Sequence, residues 1–215
     1  MIQITKKTTE LSSWEELKNL AEMGILDSVL SSGDEIPFTW KDGGTSKLIA
    51  ARDETGKVFF TLGETLRVPQ KYGAKGCKSW STSSIRKFLN DEVLKNLPDE
   101  MREVIVPTHI VQKVNGNDEE SDDMLFLLSG AQVAGISECW PDASKETKLD
   151  IFKGRYSRER QDSYGGAQSW LLRDPSHNGT ASSDENRVYA ISSSGVIFDH
   201  PVDIPDGVIF AFCID

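Results

Sequence analysis

Ser81-Thr82-Ser83-Ser84-Ile85-Arg86-Lys87-Phe88-Leu89-Asn90 opens the clearest helix of the chain, and the segments around it decide the fold class. Ser81 or Thr82 opens it, a hydroxyl side chain there satisfying the first free backbone N–H groups of the helix. Ile85, Phe88, Leu89, Leu94 and Leu97 then recur at helical spacing along one side, and Pro98 stops the run. A second helical turn, from Pro98 to Glu103, leads into an apolar strand, Val104-Ile105-Val106, ended by Pro107. Upstream, residues 12–32 read as another amphipathic helix. Ser13 followed by Glu16 makes a capping box, Trp14, Leu17, Leu20, Ala21, Ile25 and Leu26 share a face, and Ser31-Ser32-Gly33 closes it.

Strand signals surround these two helices. Ile36-Pro37-Phe38-Thr39-Trp40 is a short strand before a turn at Asp42-Gly43-Gly44, and Leu48–Ala51 with Val58–Leu62 form a hairpin around Asp53-Glu54-Thr55-Gly56. Residues 63–80 are glycine-rich and irregular, and Asn115–Asp123 is expected to be a polar, acidic loop. Met124–Leu128 is apolar throughout, as a buried strand is, and Ser129 with Gln132 caps a short helix. From 138 to 168 the chain reads as loop. Strands follow at Ser169–Arg173, Arg187–Ile191, Gly195–Phe198 and Gly207–Ile214. Helices set among antiparallel strands, with a loop-heavy middle, define an α+β protein with two main helices and long loops.

Composition narrows the function classes. The 215 residues carry 34 acidic against 24 basic side chains, a net charge of −10. Such a surface repels phosphate backbones, so no nucleic-acid partner is expected. Cys77, Cys139 and Cys213 are odd in number and far apart, and no C-x-x-C pair exists; with three histidines, no structural metal or disulfide framework is expected, and no cofactor. No stretch approaches the length of a membrane span, and nothing at the N-terminus reads as a signal peptide. Synthesis and residence in the cytoplasm, or association with a virion, is the expected location.

Four motifs point further. Ser84-Ile85-Arg86-Lys87-Phe88-Leu89-Asn90 resembles the S-x-I-R-x-W-L-N helix of an uncharacterised domain family of gut Firmicutes and their prophages. Phe126-Leu127-Leu128-Ser129 is similar to that family's F-L-L-S strand end, and Ser169-Trp170-Leu171-Leu172-Arg173-Asp174-Pro175 to its W-W-L-R-S-P segment. Val188 to Gly195 and Gly207–Ile214 resemble its closing hairpin and last strand. Two departures stand out: Ser169 replaces the first Trp, and Ile209-Phe210 replaces an Arg-Pro step. The family in turn resembles the C-type-lectin-like superfold shared by formylglycine-generating enzymes and phage receptor-binding proteins. The resemblance implies a helical leader over 1–35, a C-type-lectin-like domain over 36–215, and a phage or prophage setting.

Candidate sites follow from side-chain chemistry. Lys153, Arg155, Arg158 and Arg160, with Tyr156 and Tyr164 nearby, form a basic aromatic run unusual in so acidic a chain. Guanidinium groups beside rings suit interfaces and anionic ligands; the alternative is pairing with the chain's own acidic loops. Trp80, Trp140 and Trp170 are candidates for stacking on sugar rings, with burial as the alternative, and Arg173 anchors a loop. His177 to Asn186 is polar and lies where lectin-like folds display a variable loop. The expected ligand contacts are therefore Arg155, Tyr156, Arg158, Tyr164, Trp170, Arg173, His177 and Asn178. Asn117–Asp123 holds five carboxylates in seven residues without the alternation or glycine of a calcium loop, so a solvated charge run is expected. Tyr72–Ser79 lacks the adjacent Gly-Lys-Ser of a phosphate loop. No local signature pairs a Cys with a His as nucleophile and base, and no enzyme is expected. The expected function is recognition of a carbohydrate or protein ligand. The alternatives are an oligomeric or particle-bound assembly protein docked through its N-terminal helix, and a degenerate relative of the formylglycine-generating enzymes.

Overall fold

The computed structural model describes residues 13–114, 117–135, 146–176 and 186–214. Helix α1 (Trp14–Glu22) starts on Ser13, whose hydroxyl accepts the Glu16 N–H at 3.1 Å. It ends well short of residue 32. Gly24 takes φ +67°, a left-handed conformation that terminates helices, and only a short 3-10 turn, Leu26–Ser28, follows.

Strands β1 (Glu35–Thr39), β2 (Thr45–Arg52) and β3 (Val58–Leu62) form an antiparallel meander. The Asp53 carboxylate closes the β2–β3 turn by accepting from the N–H groups of Thr55 and Lys57. Helix α2 (Ser84–Phe88) is capped by Ser83, which accepts the Arg86 N–H, and continues through a π-helical turn, Leu89–Val93, to α3 (Leu94–Asn96) and α4 (Asp99–Arg102). After it come β4 (Ile105–Val106), β5 (Thr108–Val114), β6 (Asn117–Asp123), β7 (Phe126–Leu127) and helix α5 (Gly130–Ala134). The Ser129–Gln132 capping box of α5 is complete. Last come β8 (Arg160–Gln161), β9 (Ala167–Gln168), β10 (Trp170–Pro175), β11 (Arg187–Ile191), β12 (Ile197–Pro201) and β13 (Phe210–Ile214).

The apolar run of β13 makes it the central strand. It pairs antiparallel with β3 on one edge (Phe212 opposite Phe60) and with β7 and β4 on the other, giving the order β1-β2-β3-β13-β4 with β7 also on β13. Every residue of β13 is buried. Phe60 and Phe212 stack with ring centroids 5.4 Å apart, and Trp14 of α1 packs onto both at 6.3 and 6.5 Å. The helix before residue 35 therefore shares the core of the domain behind it. A second antiparallel sheet, β10-β11-β12, joins the first through the Leu171 N–H to Gly207 carbonyl and Arg173 N–H to Leu128 carbonyl bonds, both 3.0 Å.

The acidic segment is a strand, not a loop. Strand β6 pairs with β5 along its whole length, from Thr108 opposite Asp123 to Val114 opposite Asn117. Alternation turns Asp118, Glu120 and Asp122 to water and Glu119, Ser121 and Asp123 inward. Pairing with a partner that buries Thr108, Ile110, Gln112 and Val114 overrides the poor strand propensity of Asp and Glu.

Candidate functional site

The basic run sits on a scaffold that fixes its backbone. Ser157 folds back on Gly154, its hydroxyl donating to the Gly154 carbonyl at 2.6 Å, and starts a single 3-10 turn, Tyr156–Arg158. Trp170, buried in β10, donates its indole N–H to the Arg158 carbonyl at 3.0 Å. The β11–β12 turn supports the other side, where the Arg155 Nε donates to the Ser194 carbonyl at 2.6 Å. Gly195 is required at that contact: its φ is +75°, and a Cβ would lie 2.1 Å from the Arg155 carbonyl oxygen. A second turn follows, in which the Asp162 carboxylate accepts from the N–H groups of Tyr164 and Gly166, both at 2.8 Å.

Tyr156 and Tyr164 stand out from these turns, 79% and 91% exposed, and the Arg155 guanidinium lies 6.0 Å from the Tyr156 ring centroid. Arg158 is half-buried, its Nε without a partner among the described residues, and burial pulls its affinity for a proton down. Arg160 lies deeper, its guanidinium 5.4 and 5.9 Å from the ring centroids of Phe152 and Trp170, which stack on each other at 6.4 Å; burial lowers its pKa to about 10. Among the described residues, Lys153, Arg155, Arg158 and Arg160 form no ion pair with a carboxylate. The internal pairing that was the alternative for this run is thus missing where it is described.

Beside the run lies an open groove of about 660 Å³, lined by Lys47, Arg67, Tyr156, Arg160 and Asp162 among others. It shares Thr45, Glu64, Arg67 and Ser163 with a smaller, more apolar crevice of about 280 Å³ that reaches Trp40 and Phe88. Lys47 and Arg67 went unnoticed in the sequence because β2 and the loop after β3 reach the groove only through the tertiary fold. Arg160 was visible as part of the run, but its place against the Phe152–Trp170 ring pair was not.

The other expected contacts are placed differently. Trp170 and Arg173 are fully buried and present nothing to a ligand from outside. Trp170 braces the basic turn from behind. Arg173 donates to the Leu127 carbonyl at 2.9 Å and to the Glu146 carboxylate; burial opposes its charge, but Glu146 and Asp174 more than offset that. Trp80 is buried, its indole N–H on the Asp123 carboxylate at 2.8 Å. His177, Asn178, Cys139 and Trp140 lie outside the described residues. Among the described residues, no group of three His, Cys, Asp or Glu side chains is arranged to hold a metal. Glu119 accepts from the Ser79 and Ser81 hydroxyls, and Asp123 from Trp80, Arg86 and Ser121. Among the described residues, no helix is long and apolar enough to cross a membrane.

Architecture and site together define a mixed α/β domain, its strands paired antiparallel, that carries an unpaired basic turn over a groove. The family model described as a domain of unknown function (DUF6273) matches residues 57–215, and the chain belongs to that family. No curated protein and no solved structure matches it.

Proposed function

We propose that the chain is a non-catalytic recognition module of the C-type-lectin-like kind, taking a carbohydrate or protein ligand of a bacterial surface on its 153–168 loops in a phage or prophage setting. The observation that carries this reading is the unpaired basic run. In a chain of net charge −10, four cations within eight residues find no carboxylate among the described residues. Leaving cations unpaired beside exposed rings is wasteful for stability and useful for binding, because guanidinium and aromatic groups dominate the energetics of interfaces. Loops held by a rigid sheet are where recognition concentrates, and the mixed architecture with antiparallel sheets supports the lectin-like assignment. An assembly role through the N-terminal helix needs Trp14 and Leu17 accessible, and both are buried against the central sheet.

The test is a screen of the purified chain on bacterial surface glycans and whole cells, alongside Arg155→Ala/Arg158→Ala. Binding that the double variant loses is the expected result. Binding that the variant retains would move the site away from this turn, and a monodisperse chain that binds nothing would sink the reading.

A further inference from the structure

Two buried arginines of this fold are treated unequally. Arg173, fully buried, has the Glu146 carboxylate, the Leu127 carbonyl and nearby Asp174 to answer its charge. Arg160 is only 7% exposed, yet no described carboxylate pairs with it. Its Nη1 donates to the carbonyls of Ser157 (3.0 Å) and Glu159 (2.9 Å), and its Nε has no partner. A cation withdrawn from water without an opposing charge is costly, and stacking on Phe152 and Trp170 offsets only part of that cost. The missing component is an anion, and Arg160 lines the open groove through which one can arrive.

The rest of the lining says what kind of anion. Lys47 and Arg67 bring the cations of the wall, with Arg160, to three, and Glu64, Glu159 and Asp162 set three carboxylates against them. Lys47 is already paired with Glu35 at 2.6 Å, and Arg67 faces Asp42. A polyanion gains little from so balanced a wall. A ligand with one carboxylate and many hydroxyls fits it: the planar guanidinium matches a carboxylate, the acidic side chains accept from hydroxyls, and the exposed Tyr156 ring covers an apolar sugar face. We infer that the groove receives an acidic saccharide, a hexuronate-bearing glycan whose carboxylate is seated on the Arg160 guanidinium. This rests on the recognition reading and narrows its ligand.

The experiment titrates the intact chain with an acidic trisaccharide, a galactotriose whose terminal residue is galacturonate and which carries one carboxylate, with the neutral galactotriose and with inorganic phosphate, by calorimetry and by the Arg160 Nε–Hε resonance in NMR. The acidic trisaccharide is expected to bind and to shift that resonance, galactotriose to bind at least about tenfold more weakly, and phosphate to leave the resonance in place. Arg160→Met, which replaces the cation by an apolar chain of similar length, is expected to abolish the preference for the acid. Arg67→Met, at an exposed residue that already faces Asp42, is expected to change the affinity for the acid by less than about twofold. A loss from Arg67→Met as large as that from Arg160→Met would move the carboxylate seat to the rim and overturn the inference. Equal affinity for the acidic and neutral trisaccharides would overturn the carboxylate seat and leave recognition standing. A phosphate shift equal to that of the acidic trisaccharide would overturn the saccharide class. A folded chain that binds bacterial surfaces but not the acidic trisaccharide would likewise overturn the inference; a chain that binds neither takes the recognition reading down with it.

Discussion

Arg173 and Arg160 are both buried, with opposite consequences for stability. Removing Arg173 takes the cation away from the half-buried Glu146 and buried Asp174 carboxylates and a donor away from the Leu127 carbonyl. Arg173→Met is therefore expected to cost about 3 kcal/mol or more in urea unfolding. Arg160→Met removes a cation that no described carboxylate answers, and its stability is expected to stay within about 1 kcal/mol of the parent, on either side. Equal losses for the two would show that Arg160 is a structural pillar. Tyr72 adds a pH dependence. Its hydroxyl is fully buried, donates to the Arg173 carbonyl at 2.9 Å, and is held protonated by burial far above its ordinary 10.0. Above pH 10 the unfolded chain releases this proton and the folded chain keeps it, so stability falls as pH rises, by up to about 1.4 kcal/mol per unit. Tyr72→Phe, compared with the parent by urea titration between pH 9 and 11 at roughly half-unit steps, is expected to show a flatter decline; an unchanged slope would assign the loss to other groups.

At the scale of elements, the β11–β12 turn is the support on which the basic turn rests. Gly195→Ala places a methyl carbon against the Arg155 carbonyl in a backbone region that suits glycine. The expected result is a stability loss of about 1–3 kcal/mol and faster hydrogen exchange over 153–160; unchanged exchange there would mean that the two turns are independent. Local signals in the sequence located most elements. Ser13 and Ser129 cap helices as their spacing to Glu16 and Gln132 predicts, because a cap depends on residues three apart, whereas the middle helix opens on Ser83 and not on Ser81 or Thr82, since four hydroxyl residues in a row leave the start open. The acidic β6 was misread as loop because its partner β5, not its own composition, dictates its conformation. The first helix was read too long because leucine spacing continues past Gly24, whose positive φ stops it. Likewise the basic run was legible as chemistry. Its lack of carboxylate partners was not, since that depends on where distant acidic residues fold.

For the molecule as a whole, α1 is part of one core with the central sheet. Trp14 is buried against Phe60 and Phe212, in residues that precede the family match. Trp14→Ala is expected to cost about 3–5 kcal/mol in a single cooperative urea transition. A loss under about 1 kcal/mol, or a separate early transition, would make the helix an appendage available to a partner. The division of labour is then clear. Strand β13 and the helices around it build a rigid body, and the loops over 153–168 are left with charge and aromatic surface that the body does not use. The most direct test of that division is hydrogen-exchange mass spectrometry of the chain with and without purified bacterial surface polysaccharide. Protection over 153–168 and over the groove strand around Thr45–Lys47, with β13 and the α1 face unchanged, is the expected result. Protection confined to the α1 face or to the acidic β5–β6 hairpin would contradict it.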